Sequence, residues 1–408
     1  MIETAVLTEW LTFGVRWLHV ITAIAWIGSS FYFIALDLGL RRDGPLPAGV
    51  SGEEWQVHGG GFYHVQKYAV APDHLPEHLT WFKWEAYATW LSGFALLVLV
   101  YYLGADLYLV DPAVLDLATP VAIALSLASL ALGWLVYDRL CKSRVAASDT
   151  GLMLALFVLI VVMAWAYSMV FSGRAAFLHL GAFTATIMSA NVFLCIIPNQ
   201  KIVVADLKAG RTPDPALGKT AKQRSTHNNY LTLPVLFLML SMHNPLAFQG
   251  DYAWIVAGLV FLTGVSIRHF FNTMHAKKGH PWWTWGVTAV LFAFIVWLSL
   301  VGRIDAAPTA LPLTPQQERF AAASGFDDVH AVVLGRCSMC HAAQPLWPGM
   351  ASAPKGLMLE TAAQTAANAR QIYLHAGLTH AMPPANVAFM EPDERRLIVR
   401  WYRTATGH

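Results

Sequence analysis

The chain has 408 residues, 56% of them hydrophobic and only 13% charged, with a mean hydropathy of +0.47. A water-soluble fold of this size cannot hide so much apolar surface, so the composition points to a polytopic membrane protein. The formal net charge of +2 gives no sign of a nucleic-acid partner and leaves the distribution of charge to carry the information.

Hydrocarbon thickness asks for about 20 apolar residues per helix. Eight segments meet or approach that: 11–36, 82–104, 118–137, 151–171, 176–197, 230–247, 252–272 and 283–302. No basic leader and small-residue cleavage site precede the first, so it reads as a retained helix. The sixth is the weakest, with Pro234 inside it.

Lys and Arg crowd the odd-numbered connections: Arg41, Arg42 and Lys67 in the first, Arg139, Lys142 and Arg144 in the third. Lys201, Lys208, Arg211, Lys219, Lys222 and Arg224 fall in the fifth, and Lys277 and Lys278 in the seventh. The even-numbered ones carry little beyond Arg174, and the second is acidic. The positive-inside rule then makes odd loops cytoplasmic and places both termini outside, in the periplasm of a bacterial inner membrane.

A faint parallel repeat superposes the first and fifth spans at an offset of 160 residues, pairing Leu18 with Leu178, His19 with His179 and Ala25 with Ala185. Two imidazoles at one depth would suit a b-type haem held between helices; each would otherwise be an ordinary hydrogen-bonded core histidine. Cys141 and Cys195 read as small buried hydrophobes.

The segment 303–315 holds Pro308, Pro312 and Pro315 and reads as a semi-stiff linker between a membrane domain (1–302) and a C-terminal domain (316–408). That domain carries Cys337-Ser338-Met339-Cys340-His341, the C-x-x-C-H signature of covalent c-type haem attachment. Two thiols one helical turn apart meet the two vinyl groups, and the adjacent histidine faces the iron. Met382, between Ala381 and Pro383-Pro384, is the expected sixth ligand, with His375, His380, Met350 and Met358 as alternatives. The stretch Glu391–Arg403 has the apolar spacing of an amphipathic helix, at Leu397, Ile398, Trp401 and Tyr402. The fold expected is all-α, a transmembrane bundle of about 8 spans plus a small class I-like cytochrome c domain.

Ionisable side chains at membrane depth fall in two layers. Arg16, His19, His179 and His243 lie toward the outer side; His58, His64, Lys83, Glu85, His227, Asn228, Asn229, Arg268, His269 and His275 lie toward the inner side. The first inner connection runs Gly59-Gly60-Gly61-Phe62-Tyr63-His64-Val65-Gln66-Lys67-Tyr68, then through Ala71-Pro72 into Trp81-Phe82-Lys83-Trp84-Glu85. It offers stacking faces, charge and proton carriers to a planar anion, and reads equally as an aromatic interfacial belt with a glycine turn.

Together, Arg16-Trp17-Leu18-His19 to Trp26-Ile27-Gly28, the Phe62-Tyr63-His64 segment, Trp81 to Tyr87, His227-Asn228-Asn229-Tyr230 and Arg268-His269-Phe270-Phe271-Asn272 resemble the membrane-bound bacterial urate oxidase family. The resemblance covers nearly the whole chain and implies an eight-helix domain fused to cytochrome c. It also implies oxidation of urate to 5-hydroxyisourate, with electrons passed to the respiratory chain through a soluble cytochrome c or a terminal oxidase. For that chemistry Lys67, Arg268 or Lys83 would counter the charge of urate, and Glu85, His64 or His227 would act as base. Phe62, Tyr63 and Trp84 would stack on the purine. Two other classes stay open on the residues alone: a cytochrome that oxidises quinol or relays electrons, and a purine transporter with an appended cytochrome.

Overall fold

The computed structural model of the chain describes residues 4–68, 76–248, 250–301, 313–350 and 352–407. Eight long helices follow one another: α1 (Thr4–Gly39), α2 (Trp84–Tyr102), α3 (Thr119–Lys142), α4 (Asp149–Ser168), α5 (Gly173–Lys208), α6 (Pro215–Ser241), α7 (Ala253–His275) and α8 (Trp283–Leu300). Their starts are written locally. Ser148 and Ser172 accept the backbone N–H of Gly151 and Ala175, and Asp214 caps α6 with Pro215 in its first turn.

Seven of these helices are long and apolar enough to cross a membrane; α6 is not among them. The expected sixth span, 230–247, is instead the latter part of a helix that starts at Pro215 and ends at Ser241. The charged stretch around Lys219, Lys222 and Arg224 is therefore helical and not loop.

The packing centres on α5 and α6, with α4 and α7 against them and α1 and α2 paired outside. Glycines set the closest approaches. A Cβ on Gly133 of α3 would sit 2.0 Å from the Phe183 ring of α5, and one on Gly264 of α7 would sit 2.5 Å from Pro234 of α6. The proline that weakened the sixth span is thus seated in a glycine notch.

The all-α expectation fails in the first connection. Val50–His58 (β1) and Gly61–Tyr68 (β2) pair as an antiparallel hairpin, with Trp55 opposite His64. Gly59 and Gly60 turn it with φ of +58° and +80°, as a two-residue primed turn requires. Ala71 and Pro72 lie outside the described residues, as does nearly all of the expected linker 303–315.

The C-terminal unit is helical: α9 (Pro315–Ala321), α10 (Phe326–Cys337), α11 (Ala362–Ala367) and α12 (Pro392–Thr406). Phe320, Phe326, Val329, Val333, Ile398 and Trp401 form its core, so the apolar face read from residues 391–403 does pack inward. The unit sits on one end of the bundle: Arg370 donates to the carbonyl of Ala5 and to Glu9, and Gln371 donates to the Tyr108 hydroxyl at 2.9 Å. The hairpin occupies the opposite end.

Gly133→Ala forces a methyl into the Phe183 ring and is expected to cost about 1–3 kcal/mol. Gly286→Ala, with nothing within 4 Å of the new Cβ, is expected to be near neutral. Thermal unfolding of both variants in detergent checks the difference.

Candidate functional site

Two polar regions lie at opposite ends of the bundle. The first begins with Arg224 of α6, 1% exposed, which donates through Nη2 to Asp138 of α3 at 2.8 Å and through Nη1 to Asn191 of α5 at 3.1 Å. Asn191 donates in turn to the Tyr137 hydroxyl and to Asn228 Oδ1, and Tyr137 is 2.8 Å from Nδ1 of His227. Each step joins different helices, so the network cross-links α3, α5 and α6 where apolar packing alone would let them slide.

Arg268 of α7 is also buried, but its partners are neutral. Its Nε and Nη2 donate to Asn229 Oδ1 at 3.2 and 3.1 Å, Nη2 donates also to Asn272 at 2.9 Å, and the guanidinium lies 4.1 Å over the Phe31 ring. Asn229 Nδ2 is buried with no hydrogen-bond partner. One buried arginine is therefore neutralised by a carboxylate, while the other is held only by amides.

Of the candidates His64, Lys67, Glu85, His227 and Arg268, His227 and Arg268 lie in this interior. The other three do not. His64 is on β2, where it bonds Glu53 at 2.7 Å and stacks on Trp55 at 4.2 Å. Lys67, also on β2, pairs with Asp37, which Lys222 shares at 2.8 Å. Burial and then the charge of Lys222 hold the Lys67 ammonium below its usual value. Glu85 stands in the first turn of α2, where a carboxylate favours the helix dipole.

Sequence reading missed Arg224, Asp138, Asn191 and Tyr137. Arg224 was grouped with the loop lysines, and Asp138 fell one residue past the end drawn for the third span. Helical phase carried through both boundaries would have turned them inward.

His19 and His179 do not meet as ligands. His179 is 0% exposed, and both its nitrogens are engaged: Nδ1 donates to the Ala175 carbonyl and Nε2 accepts from Ser126, each at 2.8 Å. Its ring is walled by Tyr101, Tyr167 and Phe171 at 4.7–5.9 Å. His19 lies against α2, with Nδ1 3.0 Å from the Thr89 carbonyl and 3.2 Å from Ser92. With no nitrogen of His179 left for iron and no room for a macrocycle, these residues do not fit the haem b expected between them.

The second polar region surrounds a cavity of about 1400 Å³ between the bundle and the C-terminal unit. Cys337, Cys340, His341 and Met382 all line it. Cys337 ends α10, and its carbonyl accepts the N–H groups of Cys340 and His341, holding the two thiols one turn apart. Burial above all pushes the Cys337 thiol up to about 11, so it stays protonated at neutral pH. Burial likewise holds the His341 imidazole below its usual value, hence neutral. Its Nδ1 donates to the Leu357 carbonyl at 2.8 Å, which leaves the lone pair on Nε2.

Met382 is braced from behind. Its N–H donates to the His375 carbonyl, and its own carbonyl accepts from Arg395, which also gathers the carbonyls of Ala376 and Thr379. Met350, Met358 and His375 line the same cavity; His380 is not among its lining residues. Among the described residues no three His, Cys, Asp or Glu side chains form a metal-ion cluster. The set here is of another kind, two thiols with one imidazole and one thioether, and it would suit a macrocycle that brings most of its own ligands.

Removing one partner of a buried ion pair strands the other. Arg224→Gln leaves Asp138 with Lys142 alone and is expected to cost on the order of 3 kcal/mol. Arg268→Gln strands only amide oxygens and is expected to cost less. Melting temperatures of the two variants in one detergent give the order.

Residues 5–299 match the family model described as urate oxidase N-terminal. No curated protein and no solved structure matches the chain. The match spans all eight long helices, from the start of α1 into the last turn of α8, and on that extent the chain belongs to the urate oxidase N-terminal family.

Proposed function

We propose that this protein oxidises urate to 5-hydroxyisourate and passes the electrons out through one haem c held by Cys337, Cys340, His341 and Met382. The observation that carries the proposal is a conjunction. The urate oxidase match ends with the bundle, and the C-terminal unit that follows turns a C-x-x-C-H motif toward that bundle across a shared cavity. Family membership marks the chain as an oxidoreductase of a urate-oxidase-related kind. The finer statement, that its acceptor is a covalently bound haem, rests on the motif and its geometry.

The balance is simple: urate and water give 5-hydroxyisourate, two protons and two electrons. A haem bound here supplies a one-electron acceptor whose His/Met ligation suits electron transfer, so hydrogen peroxide need not form. The chain's own part is positional. Cys337 and Cys340 tether, the neutral His341 presents Nε2, and Arg395 fixes the loop that carries Met382. We place the apolar helices in a bacterial inner membrane, with both termini and the C-terminal unit in the periplasm. A soluble cytochrome c or a terminal oxidase would then collect the electrons.

A second reading places urate against Arg268, with His227 as base. It is favoured by one observation, the absence of a carboxylate on that buried cation. Its weakness is distance. Arg268 lies eleven residues along α7 from Ala257 in the cavity wall, about 17 Å at the helical rise. Electron tunnelling falls steeply over such a span, and in the His19/His179 pair that would have bridged it His179 has no nitrogen free for iron.

Anaerobic addition of urate to the oxidised protein is expected to reduce the haem absorption bands without added quinol. Reduction by quinol with no response to urate would instead favour the electron-relay class. Met382→Ala is expected to lower the haem midpoint potential while the covalent haem stain is retained. An unchanged potential would hand the sixth position to Met350, Met358 or His375.

A further inference from the structure

The cavity between the bundle and the C-terminal unit contains more than the motif uses. Arg16 and Arg174 reach it from the bundle and Lys355 from the C-terminal unit. None of the three has a carboxylate within ion-pair distance among the described residues. The acids lining the same cavity do not supply one: Glu9 is taken by Arg370, Asp111 accepts the N–H of Ala113, and Asp251 forms no ion pair among the described residues. Arg174 lies 4.9 Å over the Tyr108 ring, with its Nε buried and unpartnered.

The three cations also act on one another's surroundings. Burial and then the charges of Lys355, Arg174 and Arg16 hold the His243 imidazole, in the turn after α6, below its usual value. All three are therefore within electrostatic reach of one side chain. Arg174 is half-buried and Arg16 and Lys355 are exposed, so an anion entering beside Trp165, Phe177 and Trp254 would meet three cations that have no carboxylate of their own among the described residues. A flat anion would use both, stacking on the aromatic walls and accepting from the guanidinium forks.

We propose that Arg16, Arg174 and Lys355 form a binding site for a planar organic anion inside this cavity, beside the Cys337–His341 motif. The inference rests on the functional reading above and deepens it. Two molecules carry the required chemistry: urate, and the carboxylate-bearing edge of the haem. Urate bound here would stand next to its electron acceptor, and the distance that weakens a site at Arg268 would disappear.

The test uses the full-length protein, reduced and anaerobic, so that bound urate is not consumed. Urate affinity is measured by equilibrium dialysis, and the haem midpoint potential by redox titration, for wild type, Arg16→Gln, Arg174→Gln, Lys355→Gln and the charge-keeping Arg174→Lys. If urate is the anion, loss of one cation weakens its binding about tenfold, and Arg174→Lys recovers part of the loss. If the haem carboxylates are the anion, urate affinity holds while the midpoint potential falls in the neutral variants. Lys355→Gln, on the C-terminal unit, keeps the test alive if either bundle arginine proves necessary for folding. The proposal is overturned if neither quantity moves in any folded neutral variant, or if Arg268→Gln abolishes urate binding while the cavity variants leave both quantities unchanged. Failure of the wild-type protein to bind urate or be reduced by it would remove the functional reading, and the midpoint potentials would still decide whether this site exists.

Discussion

A guanidinium buried among helices loses its hydration, so it is least costly where a carboxylate stands within reach. In this chain Asp138 does that for Arg224, and the consequence reaches far beyond the pair. The two residues come from helices that do not follow one another in sequence. Asn191 then accepts from the second Nη of Arg224, and Tyr137, Asn228 and His227 extend the network from there. Apolar side chains pack almost equally well after a small slide, whereas a hydrogen-bonded charge pair tolerates none. The relative heights of α3, α5 and α6 are set by these contacts.

The same electrostatic rule separates structural from functional charge. Arg224 is neutralised by Asp138 and holds helices together. Arg268 is held by amides alone, and Arg16, Arg174 and Lys355 have no carboxylate partner among the described residues. Positive charge left open in this way is suited to an anion that arrives from outside. The two open places lie at opposite ends of the bundle. What separates them as candidates for oxidation is reach: only the cavity under the C-terminal unit adjoins the paired cysteines and His341.

The C-terminal unit gains its precision from backbone as much as from side chains. Arg395 collects three carbonyls of the segment that ends at Met382, and the Leu357 carbonyl selects the tautomer of His341. Both arrangements use charges or dipoles to orient a soft or neutral donor. Rigid support of this kind would suit the proposed haem, whose iron His341 and Met382 would hold.

Much of this was legible along the chain. Apolar runs located α2, α4, α7 and α8 to within about three residues, whereas α1, α5 and α6 extend beyond their apolar spans into polar sequence that still forms helix. The C-x-x-C-H pattern at Cys337–His341 was readable because all of its residues lie within one helical turn or so of the chain. Three things were not legible. The hairpin at β1 and β2 was hidden because a glycine turn between mixed polar and aromatic residues carries no strong period. Arg224 looked like one more loop lysine or arginine until α6 began at Pro215, and the faint repeat suggested that His19 and His179 were alike. Sequence by itself determined the elements whose causes are local: the apolar cores of the long helices, the thiol pair and its neighbouring histidine. Tertiary structure alone decided which charges are paired and which are open, since neutralisation depends on side chains that meet across helices far apart in the chain.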